Sequence, residues 1–110
     1  MDTIENKITG KKIQIALNDF PEKMNYNEAT IACKNLGRGW RLPTKWELSE
    51  LFENKDTIGG FTKTTYWSST EDENDKVLIQ FFSGWDNNAA GASFYTNKTK
   101  RNAVRAVKTI

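Results

Sequence analysis

The residue types that most often carry chemistry are sparse in this chain, and what is missing narrows the reading first. Among 110 residues there is no histidine and a single cysteine, Cys33. That excludes a His/Cys zinc set, a Ser–His or Cys–His nucleophile pair, a two-cysteine redox centre and any intrachain disulfide. A catalytic base would have to be Asp, Glu or Lys. The densest carboxylate run, Glu71, Asp72, Glu73 and Asp75, sits among polar residues, with no apolar surround to push a pair of pKa values apart. What remains is the chemistry of recognition: aromatic faces, amides and charges. The stretch GRGWRLPTKWELSELF, residues 37 to 52, concentrates two tryptophans, two arginines and a proline ahead of an amphipathic helix, and it reads as either a binding site or a structural plug.

Charge gives little more. The formal net charge is +2, too small for a dedicated nucleic-acid binder unless it is segregated. It is partly segregated, since Lys98, Lys100, Arg101, Arg105 and Lys108 make the end of the chain basic. These are either solvated turn residues or an anion-attracting face. The tract NKTKRN is too short, and too poor in interleaved aromatics, to predict a nucleic-acid partner. The start of the chain, MDTIENKITGKK, has no apolar core of a signal peptide, and no segment approaches a membrane-spanning length. The expectation is therefore a cytoplasmic chain if it is complete, or a mature extracellular or cell-surface fragment if an export signal has been removed.

The elements that must position these residues follow from periodicity. Aromatics make up 12% of the chain, so a few large side chains, each burying about 150–250 Å², fill most of the core. Residues 1–11 are polar and read as a flexible segment, leaving 12–110 as one domain. KKIQIALND alternates as a strand. Asn25 with Glu28, and Thr44 with Glu47, have capping-box spacing and predict two helix starts. The first helix places Tyr26, Ala29, Ala32, Cys33 and Leu36 on one face, with Gly37 ending it. Cys33 therefore reads as a buried hydrophobe rather than a reactive thiol. In the second helix Leu48, Leu51 and Phe52 form the buried stripe, with Glu47, Ser49 and Glu50 outside. DTIGGF reads as a turn, TTYWSST as a strand and KVLIQFF as a central strand buried on both faces. SGWDNNAAGAS is a loop rich in small and amide residues. SFYT and NAVRAVKTI close the fold. One strand, two helices and then several strands predict an α+β fold with an antiparallel sheet.

GWRLPTKWEL, YWSSTE, FFSG and AVRAVK, in this order, resemble the C-terminal domain of bacterial collagen-like adhesins (the Lcl C-terminal family, formerly a domain of unknown function). They are similar, more distantly, to the formylglycine-generating enzyme family, which shares an Arg-Leu-Pro-Thr helix start and a closing Val-Arg strand. The resemblance spans about residues 12 to 108 and implies a C-type-lectin-like fold, two helices on a twisted antiparallel sheet with the first and last strands paired. It implies structural roles for Trp40 and Leu42 as core plugs, for Arg41 and Arg105 as buried donors to loop carbonyls, and for Trp67, Ser68 and Ser69. It does not carry formylglycine chemistry across, because those enzymes use two cysteines with copper.

The same resemblance implies a ligand-facing surface in the loops of residues 83–101. Trp85 and Tyr95 would stack on sugar or peptide faces; Asn87, Asn88, Ser93 and Asn97 would hydrogen-bond; Lys98, Lys100 and Arg101 would meet sulfate or carboxylate. Asp86 with Asn87 and Asn88 offers oxygens suited to calcium, but the Glu-Pro-Asn partner of calcium-dependent lectins is missing, and neither metal nor cofactor is predicted. The competing reading of the same loop is an Asn/Asp-rich turn with Trp85 closing the core. The expected function is a non-enzymatic module binding a glycan, anionic glycans included, or a protein surface. The alternative is a structural or assembly domain of a larger surface or fibre protein, which would expose a sizeable apolar patch.

Overall fold

The computed structural model describes residues 3–5, 10, 12–61, 65–82 and 90–110. Its strands are β1 (Thr3–Glu5), β2 (Lys12–Ile15), β3 (Trp40–Arg41), β4 (Thr65–Glu71), β5 (Val77–Phe81), β6 (Ser93–Thr96) and β7 (Val107–Thr109). Its helices are α1 (Tyr26–Asn35), α2 (Lys45–Glu53) and the single turn α3 (Lys55–Ile58). The α+β plan holds, but the expected sheet divides in two, ordered β1-β2-β7-β3 and β4-β5-β6. All of the pairings within these sheets are antiparallel. β2 and β7 do pair, placing Ile13 opposite Thr109 and Ile15 opposite Val107. Within the segment 1–11, Thr3–Glu5 lie along β2 as an added strand.

The sheets divide because the chain before β7 does not continue as a regular strand. Asn102 to Val107 is buried throughout and spends its backbone hydrogen bonds on several neighbours. Asn102 exchanges both bonds with Met24; Ala103 bonds to Thr65 and Trp67; the carbonyls of Val104 and Ala106 accept from Phe20 and Ala16. Buried backbone groups must find partners, and here they are drawn from both sheets and the β2–α1 loop. The segment is the seam of the molecule. One cluster of buried side chains lies on the α2 side (Leu48, Leu51, Tyr66, Phe82, Ala103, Val107). A second lies on the α1 side (Ala29, Cys33, Trp67, Val77, Ile79, Val104). That explains why β5 is covered on both faces: Val77 and Ile79 face the α1-side cluster, while Leu78, on the other face, lies beside the start of α2.

Both capping boxes form. Asn25 Oδ1 accepts from the Glu28 amide at 2.9 Å, while Glu28 Oε1 accepts from the Asn25 amide at 3.0 Å. Thr44 and Glu47 do the same at 3.2 and 2.8 Å. Each cap stabilises its helix by about 1 kcal/mol. Helical spacing alone puts Glu47 and Glu50 outside, and here the structure differs: each is only 8% exposed. The reason for Glu47 is Arg41, whose guanidinium grips the carboxylate at 2.6 and 2.9 Å and also donates to the Leu42 carbonyl and Thr109 Oγ1. DTIGGF is likewise not a plain turn, since α3 occupies its first half.

Arg105 is the largest charged group in the interior. Its side chain is fully covered, and Nε donates to Asp19 Oδ1 at 2.7 Å. The other nitrogens donate to the carbonyls of Ala16 at 3.2 Å and Gly59 at 3.1 Å. The Phe61 ring lies 4.2 Å from the guanidinium carbon, and the Tyr66 hydroxyl donates to the second Asp19 oxygen. Such pairing is what makes a buried cation tolerable.

In β4 the register slips between Trp67, opposite Ile79, and Glu71, opposite Val77. The slack backbone is used. The Ser69 amide donates to the Pro43 carbonyl at 2.7 Å, and Thr70 Oγ1 accepts from the Lys45 amide, a free donor at the first turn of α2, at 2.9 Å. Ser68 Oγ holds the bulge by donating to Leu78 O at 2.7 Å and accepting from the Thr70 amide at 3.1 Å. The bulge thus fixes α2 over the second sheet.

Candidate functional site

β6 is the outer strand of the second sheet, and its side chains alternate between two surfaces. Phe94 stacks on Phe81, with centroids 5.4 Å apart. Ser93 and Tyr95 stand opposite Gln80 and Leu78 and so share the face that carries α2. Between them and the start of α2 runs a groove of about 310 Å³, lined by Lys45, Trp46, Ser49, Leu78, Ser93 and Tyr95. Its two aromatic walls are open to solvent, Trp46 at 47% and Tyr95 at 38%. Lys45 Nζ lies 4.6 Å from the Trp46 ring centroid, a cation–π contact that steadies the indole. Leu78 gives the groove an apolar floor. Next to it on the same face, Gln80 donates through Nε2 to the Gly91 carbonyl at 3.1 Å. Its Oε1 is buried with no hydrogen-bond partner among the described residues.

Of the residues singled out from the sequence, Ser93 and Tyr95 come together here. Trp85, Asp86, Asn87 and Asn88 lie outside the described residues. Asn97 and Lys100 are exposed beyond the end of β6. Lys98 and Arg101 are held by partners within the chain. Lys98 Nζ lies 2.6 Å from both Glu71 and Asp75 and 5.4 Å over the Tyr26 ring. Hydrogen bonds to Asp75 and Glu71 hold the Lys98 ammonium above the ordinary lysine range, and the same bond from Lys98 holds Asp75 below the usual carboxylate range. The acidic stretch and the basic end, which look separate in the sequence, therefore meet. Arg101 lies 3.4 Å from Glu28 and donates to the Lys23 carbonyl at 3.2 Å.

Sequence reasoning set the ligand-facing surface at residues 83–101 and left 37–52 as either a binding site or a structural plug, so it did not single out Lys45, Trp46 and Ser49. A signal was there. Trp46 lies two residues before Leu48, about 200° around the helix and opposite the buried stripe, where a tryptophan has no core to fill. The other structural assignments hold: Leu42 and Trp67 are buried, the Trp67 indole donates to the Met24 carbonyl at 2.7 Å, and Trp40 packs half-buried against the α1-side cluster. Cys33 is buried, and burial pushes its thiol up to about 12. Among the described residues no group of three or more His, Cys, Asp or Glu could hold a metal ion. No described helix is long and apolar enough to cross a membrane.

No family model matches the sequence, and no curated protein matches it significantly. Among solved structures the chain is similar to EMS16, a C-type-lectin-like protein described as an antagonist of the collagen receptor integrin α2β1. The two share 11% sequence identity at a TM-score of 0.58, over 90% of this chain and 91% of that one. The fold of this chain is therefore C-type-lectin-like.

Proposed function

We propose that this C-type-lectin-like chain is a non-enzymatic recognition module, residues 12–110 acting as one domain, whose ligand enters the groove between Trp46 and Tyr95. The observation that carries the reading is the pairing of two solvent-open aromatic walls with two hydroxyls, Ser49 and Ser93, over an apolar floor. Aromatic faces suit the C–H face of a sugar ring or the flat side of a peptide group, and the hydroxyls supply short neutral hydrogen bonds. Tyrosine, tryptophan and serine serve adaptable binding surfaces for the same reason. A glycan ligand is supported by the groove's own chemistry, aromatic faces beside neutral hydroxyls. The integrin antagonism of a structural neighbour supports a protein surface. Trp85, Asp86, Asn87 and Asn88, which the sequence marks as ligand-facing, stay in the proposed binding set. Lys100 and Arg101 are the exposed cations available to an anionic ligand, whereas Lys98 is engaged by Glu71 and Asp75.

The test is a glycan-array screen of the purified domain, with and without calcium, repeated for Trp46→Ala and Tyr95→Ala. Both side chains are more than a third exposed, so both variants should fold. Binding that survives chelation and falls at least about tenfold in each variant supports the groove. Binding abolished by chelation moves the site to Asp86–Asn88. Binding unchanged in both variants refutes the assignment, and silence from the folded domain favours a protein ligand or an assembly role.

A further inference from the structure

A second groove is lined by none of the residues of the first. It has a volume of about 350 Å³ and is lined by Ala16, Leu17, Asn18, Asp19, Phe20, Pro21, Leu36 and Trp40. Two of its apolar walls are open, Leu17 at 66% and Leu36 at 47%. Apolar side chains gathered about one concavity are the usual mark of a docking surface. Asp19 contributes no free charge here, because Arg105 and Tyr66 take its two oxygens.

The surrounding charge is mostly positive, the acidic exceptions being exposed Glu22, next to Pro21, and Glu5, paired opposite Lys12. Lys34 stands in the last turn of α1 and Arg38 in the turn between Leu36 and Trp40; both are exposed. Lys108 is paired directly opposite Trp40 and lays its stem over Gly39, with Cε 3.4 Å from where a Cβ would stand. Along β2, Lys12 has the same parity as Gln14, the residue opposite Lys108, which puts it on that same outer face. We infer that this groove docks an acidic protein segment that inserts one or two aliphatic side chains between Leu17 and Leu36 while its carboxylates meet Lys34, Arg38 and Lys108. A second copy of the chain would bring the same cations face to face, and like charges across an interface oppose association. A lipid surface calls for a protruding apolar ridge, whereas this surface is concave. The inference is independent of the Trp46–Tyr95 groove.

The probe is a fluorescein-labelled library of short acidic peptides with every apolar residue tested at two central positions, beside a matched library in which Lys replaces each Asp and Glu. Anisotropy titrations on the full chain should give micromolar binding for the best acidic members, at least about tenfold tighter than their basic counterparts. Affinity should fall with added salt. Leu17→Asp and Leu36→Asp, at exposed positions, should abolish binding, and Lys34→Glu with Arg38→Glu should reverse the charge preference. Trp46→Ala should leave it unchanged. The inference is overturned by equal affinity for the two libraries, by no binding to either, by binding that survives both Asp substitutions, or by binding lost in Trp46→Ala. Capture by phosphatidylserine vesicles in preference to the acidic peptides, or self-association in sedimentation that the Asp substitutions remove, would equally overturn it in favour of a membrane or a second copy.

Discussion

Replacing Arg105 by Met is the sharpest test of how the interior is held. The side chain is fully covered and Asp19 is 8% exposed, so solvent cannot screen the charge left behind. Removing the cation orphans the Asp19 carboxylate, which would retain only the Tyr66 hydroxyl, and strands the carbonyls of Ala16 and Gly59 that Arg105 had satisfied. Breaking one partner of such a pair costs about 3–5 kcal/mol, a large share of the ~5–15 kcal/mol that holds a domain folded. With a urea slope of about 1–3 kcal/mol/M, the midpoint should fall by roughly 2 M. Adding Asp19→Asn to Arg105→Met removes the orphaned charge yet keeps an acceptor for Tyr66. The double variant should therefore be more stable than the sum of the single losses predicts, by about 1–3 kcal/mol. Urea titrations of the four proteins read this directly. A single-variant loss below about 1 kcal/mol, or strict additivity, would refute the claim that Arg105 and Asp19 act as one buried unit.

Gly60 has φ +81°, and a Cβ there would lie 2.8 Å from Arg105 Nη2; Gly60→Ala should cost about 1–3 kcal/mol, and a neutral result in the same titration would show that the guanidinium can shift freely. Burial pushes the Glu47 carboxyl up, but the Arg41 fork and the bonds from Thr44 outweigh it and hold the group below its ordinary 4.5. Its contribution to stability is thus present above about pH 4.5 and lost as pH falls through the lower folded value, where the unfolded chain binds the proton first. Glu47→Gln should flatten that acid limb in a series of urea midpoints, and an unchanged slope would contradict the pairing. With its thiol buried and pushed up to about 12, Cys33 should resist a thiol reagent at pH 8 until urea unfolds the chain; rapid labelling of the native protein would show that α1 opens locally.

What could be read from the sequence was local. The capping boxes rest on residues three apart, so Asn25 and Thr44 announced the first two helices, and the run of β5, apolar but for Gln80, announced a strand covered on both sides. What could not be read depended on partners brought from a distance. Glu47 counts as polar by helical spacing, and only Arg41 curling back over it turns it inward. Lys98 reads as a free cation because Glu71 and Asp75, more than twenty residues earlier, show no sign of meeting it. The division of the sheet depends on Asn102–Val107 finding its hydrogen bonds on several elements at once, which no alternation pattern encodes. The groove joins Trp46 to Tyr95 across half the chain; Tyr95 was legible as a binding residue, and Trp46 only as an aromatic on the wrong side of its helix.

The bulge in β4 bears on how the groove would behave thermodynamically. Its two walls belong to different elements, α2 and the β5–β6 ribbon, yet Thr70 and Ser69 tie the start of α2 to the strand beside that ribbon. The spacing of the walls is settled on folding, before any ligand arrives. A ligand would then find a mould and not a hinge, and little backbone freedom would be lost on filling it. Selectivity in such a slot comes from rigid fit and is indifferent to closure. Loosening the bulge with Ser68→Ala should therefore widen the range of ligands accepted before it weakens the best one.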